Sequence, residues 1–198
     1  GTGVLTGRLA QCAGRVVAVE LDRHILPVLR ETTATQPNVE ILARNLLDLA
    51  PEEVFGTQPY KLVANLPYYI TSSTLRHFLE ASNPPRLLVV MVQREVAERI
   101  VAEAGHLSLL GLSVRFYSRP SIVARVPAEA FYPPPKVESA IVRIDVFAAP
   151  PLAGADRERF FALAHAGFAE KRKQLHNNLT RHLDVSREQA LAWLAAAD

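Results

Sequence analysis

Asn65-Leu66-Pro67-Tyr68 carries the most reactive combination of groups in this 198-residue chain. The Asn65 side-chain oxygen and the Leu66 carbonyl are two hydrogen-bond acceptors in neighbouring residues. Together they can accept both protons of an exocyclic amine on a flat base. Two such contacts draw the nitrogen lone pair out of conjugation and aim it away from the ring. Pro67 stiffens the backbone that presents the carbonyl, and the Tyr68 ring is suited to stack on the base. A plain strand-to-helix turn would use the same residue types, because Asn and Pro are common turn formers. The surrounding elements decide between the two.

Leu62, Val63 and Ala64 form a short apolar run of the kind that makes a buried parallel strand. Pro67 forbids a continuing ladder and biases Leu66 towards an extended backbone. Thr71, Ser72 and Ser73 are then expected to cap a helix through Leu75, Phe78 and Leu79. An amide, a stiff backbone and an aromatic ring therefore stand at the carboxyl end of a strand. In an open α/β sheet, ligands bind there.

Upstream, Gly1-Thr2-Gly3-Val4-Leu5-Thr6-Gly7 is a glycine-rich turn leading into a helix through Leu9 and Ala10. Such a turn normally follows a strand, so the chain is expected to begin inside a motif. Arg15–Leu21 reads as a strand ending in an acid. Glu20 lies 19 residues after Gly1, close to the offset of about 20 at which an acid holds ribose hydroxyls in nucleotide-binding βαβ units. The competing role for Glu20 and Asp22 is helix capping; Asp22 is assigned to the cap and Glu20 to the ribose. Pro27 is expected to kink the helix that follows. Val39–Leu42 and Arg86–Gln93 are further strands, and Gln93–Glu103 has helical apolar spacing at Val96, Ile100 and Val101. Strands alternating with helices in this way predict a parallel sheet covered on both faces.

The pattern then changes. Leu112–Tyr117 and Ser121–Val126 read as extended, with Pro120 and Pro127 as punctuation. Phe131 stands beside Pro133-Pro134-Pro135, a stiff polyproline-like segment that would fix its ring at a cleft edge, although a core Phe beside a structural loop reads equally well. A strand over Ser139–Phe147 follows, and the strands flanking the prolines are expected to pair antiparallel. The domain reading is residues 1–147 as an α/β domain, 148–155 as a linker, and 156–198 as a helical domain. In the last, Asp156 caps a helix bearing Phe160, Ala164 and Phe168, and Leu175, Leu179 and Leu183 continue at i, i+4. Between them, Lys171, Arg172 and Lys173 followed by Asn177 could contact phosphate and sugar, although such a run is commonly a solvated face.

Composition sets limits. At 49% hydrophobic and 21% charged the chain is of ordinary globular type, and its net charge of +2 makes any nucleic-acid case depend on local patches. No apolar run is long enough to span a bilayer. Cys12 is the only cysteine, which excludes an internal disulfide and suits a reducing, cytoplasmic compartment. No metal site is predicted.

Taken in order, GTGVLT, VVAVELD, NLPYYIT, VMVQREVAERIVA, GLSV, FYPPPKVESAIVRI and FAEKRKQLHNNL resemble the small-subunit ribosomal RNA adenine dimethyltransferases, the kasugamycin-sensitivity methyltransferase family. The NLPY stretch alone is widespread among adenine-N6 methyltransferases; the proline block and the basic helix narrow the match. The resemblance implies a Rossmann-like class I methyltransferase sheet, mostly parallel with an antiparallel end, and a small helical RNA-binding domain behind it. It implies S-adenosylmethionine as methyl donor, and two adjacent adenosines in a hairpin loop near the 3′ end of small-subunit rRNA as acceptors, methylated during subunit biogenesis. By position, Gly1, Gly3, Glu20, Asn45 and Asn65 would contact the cofactor, Asn65, Leu66, Pro67 and Tyr68 would form the catalytic turn, and Tyr68 and Phe131 would sandwich the target base. A monomer without metal or membrane association is expected.

The family's first strand, its acidic residue and first glycine, and an amino-terminal segment lie outside this chain, and the family continues for about two dozen residues past Asp198. Weak or absent cofactor binding is therefore expected of these 198 residues taken alone. Asn45 stands where the family usually has Asp, so the adenine amine would meet an uncharged acceptor. The alternatives are a large-subunit rRNA adenine methyltransferase of the macrolide-resistance type, a non-catalytic RNA-binding assembly factor on the same scaffold, and a small-molecule or DNA methyltransferase.

Overall fold

The computed structural model describes residues 1–170 and 172–197, which divide into two units, Gly1–Gln58 with Glu80–Asn83, and Pro59–Leu79 with the remainder. In the first unit, Gly3 turns the chain into α1 (Val4–Ala10) with φ +93°, and a Cβ there would stand 2.2 Å from Thr32 Oγ1. Both the left-handed backbone and the lack of space demand glycine. β1 (Val16–Val19) pairs in parallel with β2 (Val39–Leu42). Asn38 Nδ2 donates to the carbonyls of Ala10 and Ala13 at 2.9 and 2.8 Å, joining the end of α1 to the entry of β2.

Two expectations are corrected in α2 (Leu26–Thr33). Pro27 lies in the first helical turn, where its missing N–H has no intrahelical partner to lose, so it starts the helix and does not kink it. Asp22 caps the turn before the helix: its Oδ1 accepts from His24 N–H at 2.8 Å and its carbonyl from Ile25 and Leu26. After β2 come a 3₁₀ turn at Leu46–Asp48 and the short α3 (Pro51–Phe55).

In the second unit, β3 (Lys61–Asn65) leads through a 3₁₀ turn (Tyr68–Ile70) into α4 (Thr71–Leu79), and β4 (Leu87–Gln93) into α5 (Arg94–Val101). Next are α6 (Leu109–Tyr117), β5 (Ser118–Val126) and β6 (Ser139–Val146). The sheet order is β3-β4-β6-β5, with β3 and β4 parallel and β6 antiparallel to both neighbours. Alternate residues of the two central strands, Leu88, Val90 and Val92 with Ala140, Val142 and Ile144, have no exposed surface. Each Leu, Val or Ile among them contributes about 1.5–3 kcal/mol by leaving water. α5 packs on this pair of strands and α6 on α4 and α5. The antiparallel end is as expected, and Pro120 sits within β5, an edge strand that tolerates the missing donor.

Leu112–Tyr117, expected as extended, is helical. Ser108 caps its start, its Oγ accepting from Gly111 N–H at 3.1 Å. Gly111 lets the helix lie against α5: a Cβ there would meet the Arg99 carbonyl oxygen at 2.3 Å. Past β6, α7 (Gly154–Phe168), α8 (Leu175–Leu183) and α9 (Arg187–Ala197) build a small core of Ala166, Leu179 and Ala190, packed with Leu183, Val185 and Leu194. Asp156 lies in the first turn of α7, 3.7 Å from Arg159, and does not cap it. Phe160 stacks on Phe116 at 4.8 Å, and Phe161 on Tyr117 at 5.9 Å, which holds α7 to α6.

Candidate functional site

Asn65 is the exposed last residue of β3, opposite Met91 of β4. The Leu66 side chain is buried, which anchors the backbone just beyond the strand. Pro67 is extended (φ −56°, ψ 131°), and its carbonyl accepts from Ile70 N–H at 3.1 Å to close the 3₁₀ turn. α4 follows without a break. Thr71 was expected to cap it, yet its buried hydroxyl has no hydrogen-bond partner; the preceding turn supplies the entry instead. Among the described residues, neither the Asn65 side-chain amide nor the Leu66 carbonyl has a hydrogen-bond partner. Both acceptors are free.

Tyr68 is half-buried, with its phenol oxygen 2.8 Å from Oγ of Ser139, 71 residues away. Ser139 is fully buried at the first position of β6, opposite Gln93. Sequence reasoning placed Ser139 only as a strand start; the one available signal was a small hydroxyl residue at the head of an apolar run, four residues after the proline block. Phe131 follows a 3₁₀ turn (Ala128–Ala130), is half-buried, and donates its N–H to Ala128 O at 3.2 Å. The loop it opens is tied down at its far end by Glu138, whose carbonyl accepts from Arg94 N–H at 2.9 Å and whose carboxylate pairs with the Arg94 guanidinium at 2.6 Å. Since β6 runs against β3 and β4, its amino end and their carboxyl ends share one sheet edge. Asn65 at the end of β3, Leu66, Pro67 and Tyr68 just beyond it, and Phe131 on the loop before β6 all lie at that edge.

In the first unit, Glu20 follows β1 directly. Its Oε1 accepts from the N–H groups of Leu21 and Asp22, each at 2.9 Å, and Oε2 pairs with the Gly1 amino terminus. Partial burial raises its pKa, and the hydrogen bonds from the Asp22 and Leu21 N–H groups lower it. Glu20 is thus ionised at neutral pH, an acceptor-only group held in a fixed orientation. Asn45 follows β2, and its Oδ1 accepts from Leu47 N–H at 3.2 Å, leaving one lone pair. Gly1 and Gly3 bracket the turn into α1. A glycine-dependent turn into α1, an oriented carboxylate after β1 and an amide oxygen after β2 fit a nucleoside-bearing cofactor such as S-adenosylmethionine, whose ribose hydroxyls and adenine amine are donors.

In the helical segment, Arg172, Lys173 and Asn177 are exposed, while Lys171 lies outside the described residues. The adjacent Asn178 is buried and structural, donating to the carbonyls of Gly167 and Glu170 at 3.1 and 3.2 Å. Glu170, Lys173, Asn177 and Arg181 are among the residues lining an open polar pocket of about 370 Å³, where Arg181 pairs with Glu170 at 2.6 Å.

Parallel strands alternating with helices, and an NLPY turn at the carboxyl end of β3, are those of a Rossmann-like class I methyltransferase. Solved structures agree: the 23S rRNA methyltransferase ErmE is similar with TM-score 0.76 and 30% identity, covering 91% of this chain and 72% of its own. A dimethyladenosine transferase from Plasmodium falciparum is similar with TM-score 0.79 and 27% identity, covering 92% and 66%. The family model for ribosomal RNA adenine dimethylase matches residues 1–194. A ribosomal RNA small subunit methyltransferase A from Dehalococcoides mccartyi is 51% identical over all of this chain and 68% of its own length. Its counterpart from Enterococcus faecalis is 41% identical over 98% of this chain and 68% of its own length. The chain belongs to the ribosomal RNA adenine dimethylase family, whose methyl donor is S-adenosylmethionine.

Proposed function

We propose that this protein methylates N6 of two adjacent adenosines in a hairpin loop near the 3′ end of small-subunit (16S-type) rRNA, converting each to N6,N6-dimethyladenosine during subunit biogenesis. The carrying observation is the pair of unpartnered acceptors, Asn65 Oδ1 and the Leu66 carbonyl, next to a tethered Tyr68 ring. The small-subunit names of the relatives at 51% and 41% identity support this target over the large-subunit one.

S-adenosylmethionine, when bound, supplies a sulfonium methyl group that is already electrophilic. The protein's own task is therefore to place an amine in line at about 3 Å. Asn65 Oδ1 and the Leu66 carbonyl accept the amine protons and turn its lone pair out of the ring plane. Tyr68 and Phe131 sandwich the base, with the Tyr68 ring held through Ser139. A hairpin-loop adenosine reaches such a slot at lower cost than a paired one. The Glu20 carboxylate accepts from the cofactor ribose, Asn45 from its adenine amine, and Gly1 and Gly3 let backbone approach. The amine acidifies once alkylated and its proton leaves to water, so neither metal nor side-chain base is required. Residues 1–147 are the methyltransferase domain; the linker expected over 148–155 is cut short by α7, which begins at Gly154, and the helices expected over 156–198 bind RNA, with Lys171, Arg172, Lys173 and Asn177 on phosphate and sugar. Among the described residues no helix is long and apolar enough to cross a membrane, and we place a monomer at work in the cytoplasm, on the precursor of the small subunit.

Glu20→Ala is expected to weaken S-adenosylmethionine binding about tenfold, the loss of charge-assisted hydrogen bonds; titration calorimetry checks it, and unchanged affinity removes Glu20 from the ribose. The reading itself is tested by incubating under-methylated small subunits with S-adenosylmethionine and the protein extended at both ends to the length of its relatives, then analysing their nucleosides by mass spectrometry. N6,N6-dimethyladenosine in small-subunit rRNA is expected. Product only in large-subunit rRNA would give the macrolide-resistance type of enzyme; bound RNA without product would give an assembly factor.

A further inference from the structure

The residue after each proposed stacking ring is itself a tyrosine, and both are left in water: Tyr69 is 88% and Tyr132 100% exposed. Neither phenol has a hydrogen-bond partner among the described residues, so neither ring is there to pack or to bond within the fold. Each is nonetheless carried by stiff backbone. Tyr69 is the middle residue of the 3₁₀ turn between Pro67 and α4, and Tyr132 lies between Phe131 and Pro133-Pro134-Pro135. Rings presented this way lose little conformational freedom on binding.

We propose that Tyr69 and Tyr132 are stacking ledges for the nucleotides on either side of the adenosine in the slot, in a single-stranded RNA loop. This rests on the function proposed above. Three observations join in it. The ledges are continuous in sequence with Tyr68 and Phe131, on loops at the same sheet edge. Lys136, on the Tyr132 loop, is exposed and has no ion-pair partner among the described residues, which suits a backbone phosphate, whereas Arg94 nearby is taken up by Glu138 and Glu98. Separate aromatic faces beside a cation fit a chain of bases and phosphates, since every base has a face to stack. With two adjacent adenosines as substrate, one ledge holds the second adenosine while the first is in the slot.

The test uses a hairpin RNA with two adjacent loop adenosines and 2-aminopurine placed on their 5′ or 3′ side. Binding and fluorescence are measured with the wild type, Tyr69→Ala, Tyr132→Ala and the two Tyr→Phe variants, and methylation of the unlabelled hairpin is followed in parallel. Quenching on binding to the wild type is expected. Each Ala variant should abolish it on one flank and weaken the Kd about tenfold, while the Phe variants, which keep the ring, behave as wild type. Ala variants that bind and quench normally, while the wild type methylates, overturn the ledges and leave the enzyme. Quenching lost in the Ala variants, with no methylation by the wild type, supports the ledges and overturns the enzyme. Phe variants as weak as Ala overturn stacking, and a wild type that does not bind the hairpin overturns the ledges too.

Discussion

Asn65→Ala is expected to lower kcat for adenosine methylation on the order of a hundredfold, the scale on which one preorganised polar contact to a reacting group matters, with RNA affinity close to wild type. The contact is to the amine that reacts, and it strengthens as the nitrogen becomes positive, so its loss falls on the chemical step and not on binding. Stability should not move, because the Asn65 side chain is exposed and holds nothing in the fold. Single-turnover assays with mass spectrometric detection read the effect. Asn65→Asp keeps an acceptor oxygen and should retain more activity than Asn65→Ala. Equal activity of all three proteins would mean that the acceptor pair does not orient the amine.

Gly111→Val is expected to destabilise the fold by about 3 kcal/mol, the upper end for overpacking, seen as a lower urea midpoint. The atom in the way is the Arg99 carbonyl oxygen, 2.3 Å from any Cβ at that position. It belongs to the α5 backbone and has no rotamer to escape into, so α5 and α6 must part. α6 also carries Phe116 and Tyr117, on which Phe160 and Phe161 stack. Displacing it should therefore loosen α7 and expose the carboxyl-terminal helices to limited proteolysis. An unchanged midpoint would show that the two helices do not need this close approach.

These two residues mark what could and could not be seen in advance. The Asn65–Tyr68 turn was legible because its elements are local: an apolar strand, a proline that ends it, and two acceptors adjacent along the chain. The same holds for Glu20 after β1 and for the strands at Val39, Arg86 and Ser139, whose apolar runs have few other solutions. Leu112–Tyr117 was not legible in this way. Leu112, Val114 and Phe116 alternate with polar residues as in a strand, while the helix buries Gly111, Val114 and Tyr117 at a spacing of three together with Phe116. Period alone could not choose, and the choice fell to a contact with Arg99 on another helix.

Pro27 and Thr71 teach the same point about boundaries. A proline starts or kinks a helix according to which turn it occupies, and a threonine caps one only if its hydroxyl reaches a free N–H; both depend on where neighbouring elements let the helix begin. The sequence by itself determined the alternation of strands and helices, the antiparallel pair around the proline block and the acceptors at the end of β3, since periodicity and local backbone chemistry suffice for these. Only the tertiary structure decided that Tyr68 is tethered to Ser139 and that Tyr69 and Tyr132 stand in water, because those facts depend on which distant residues the sheet brings together.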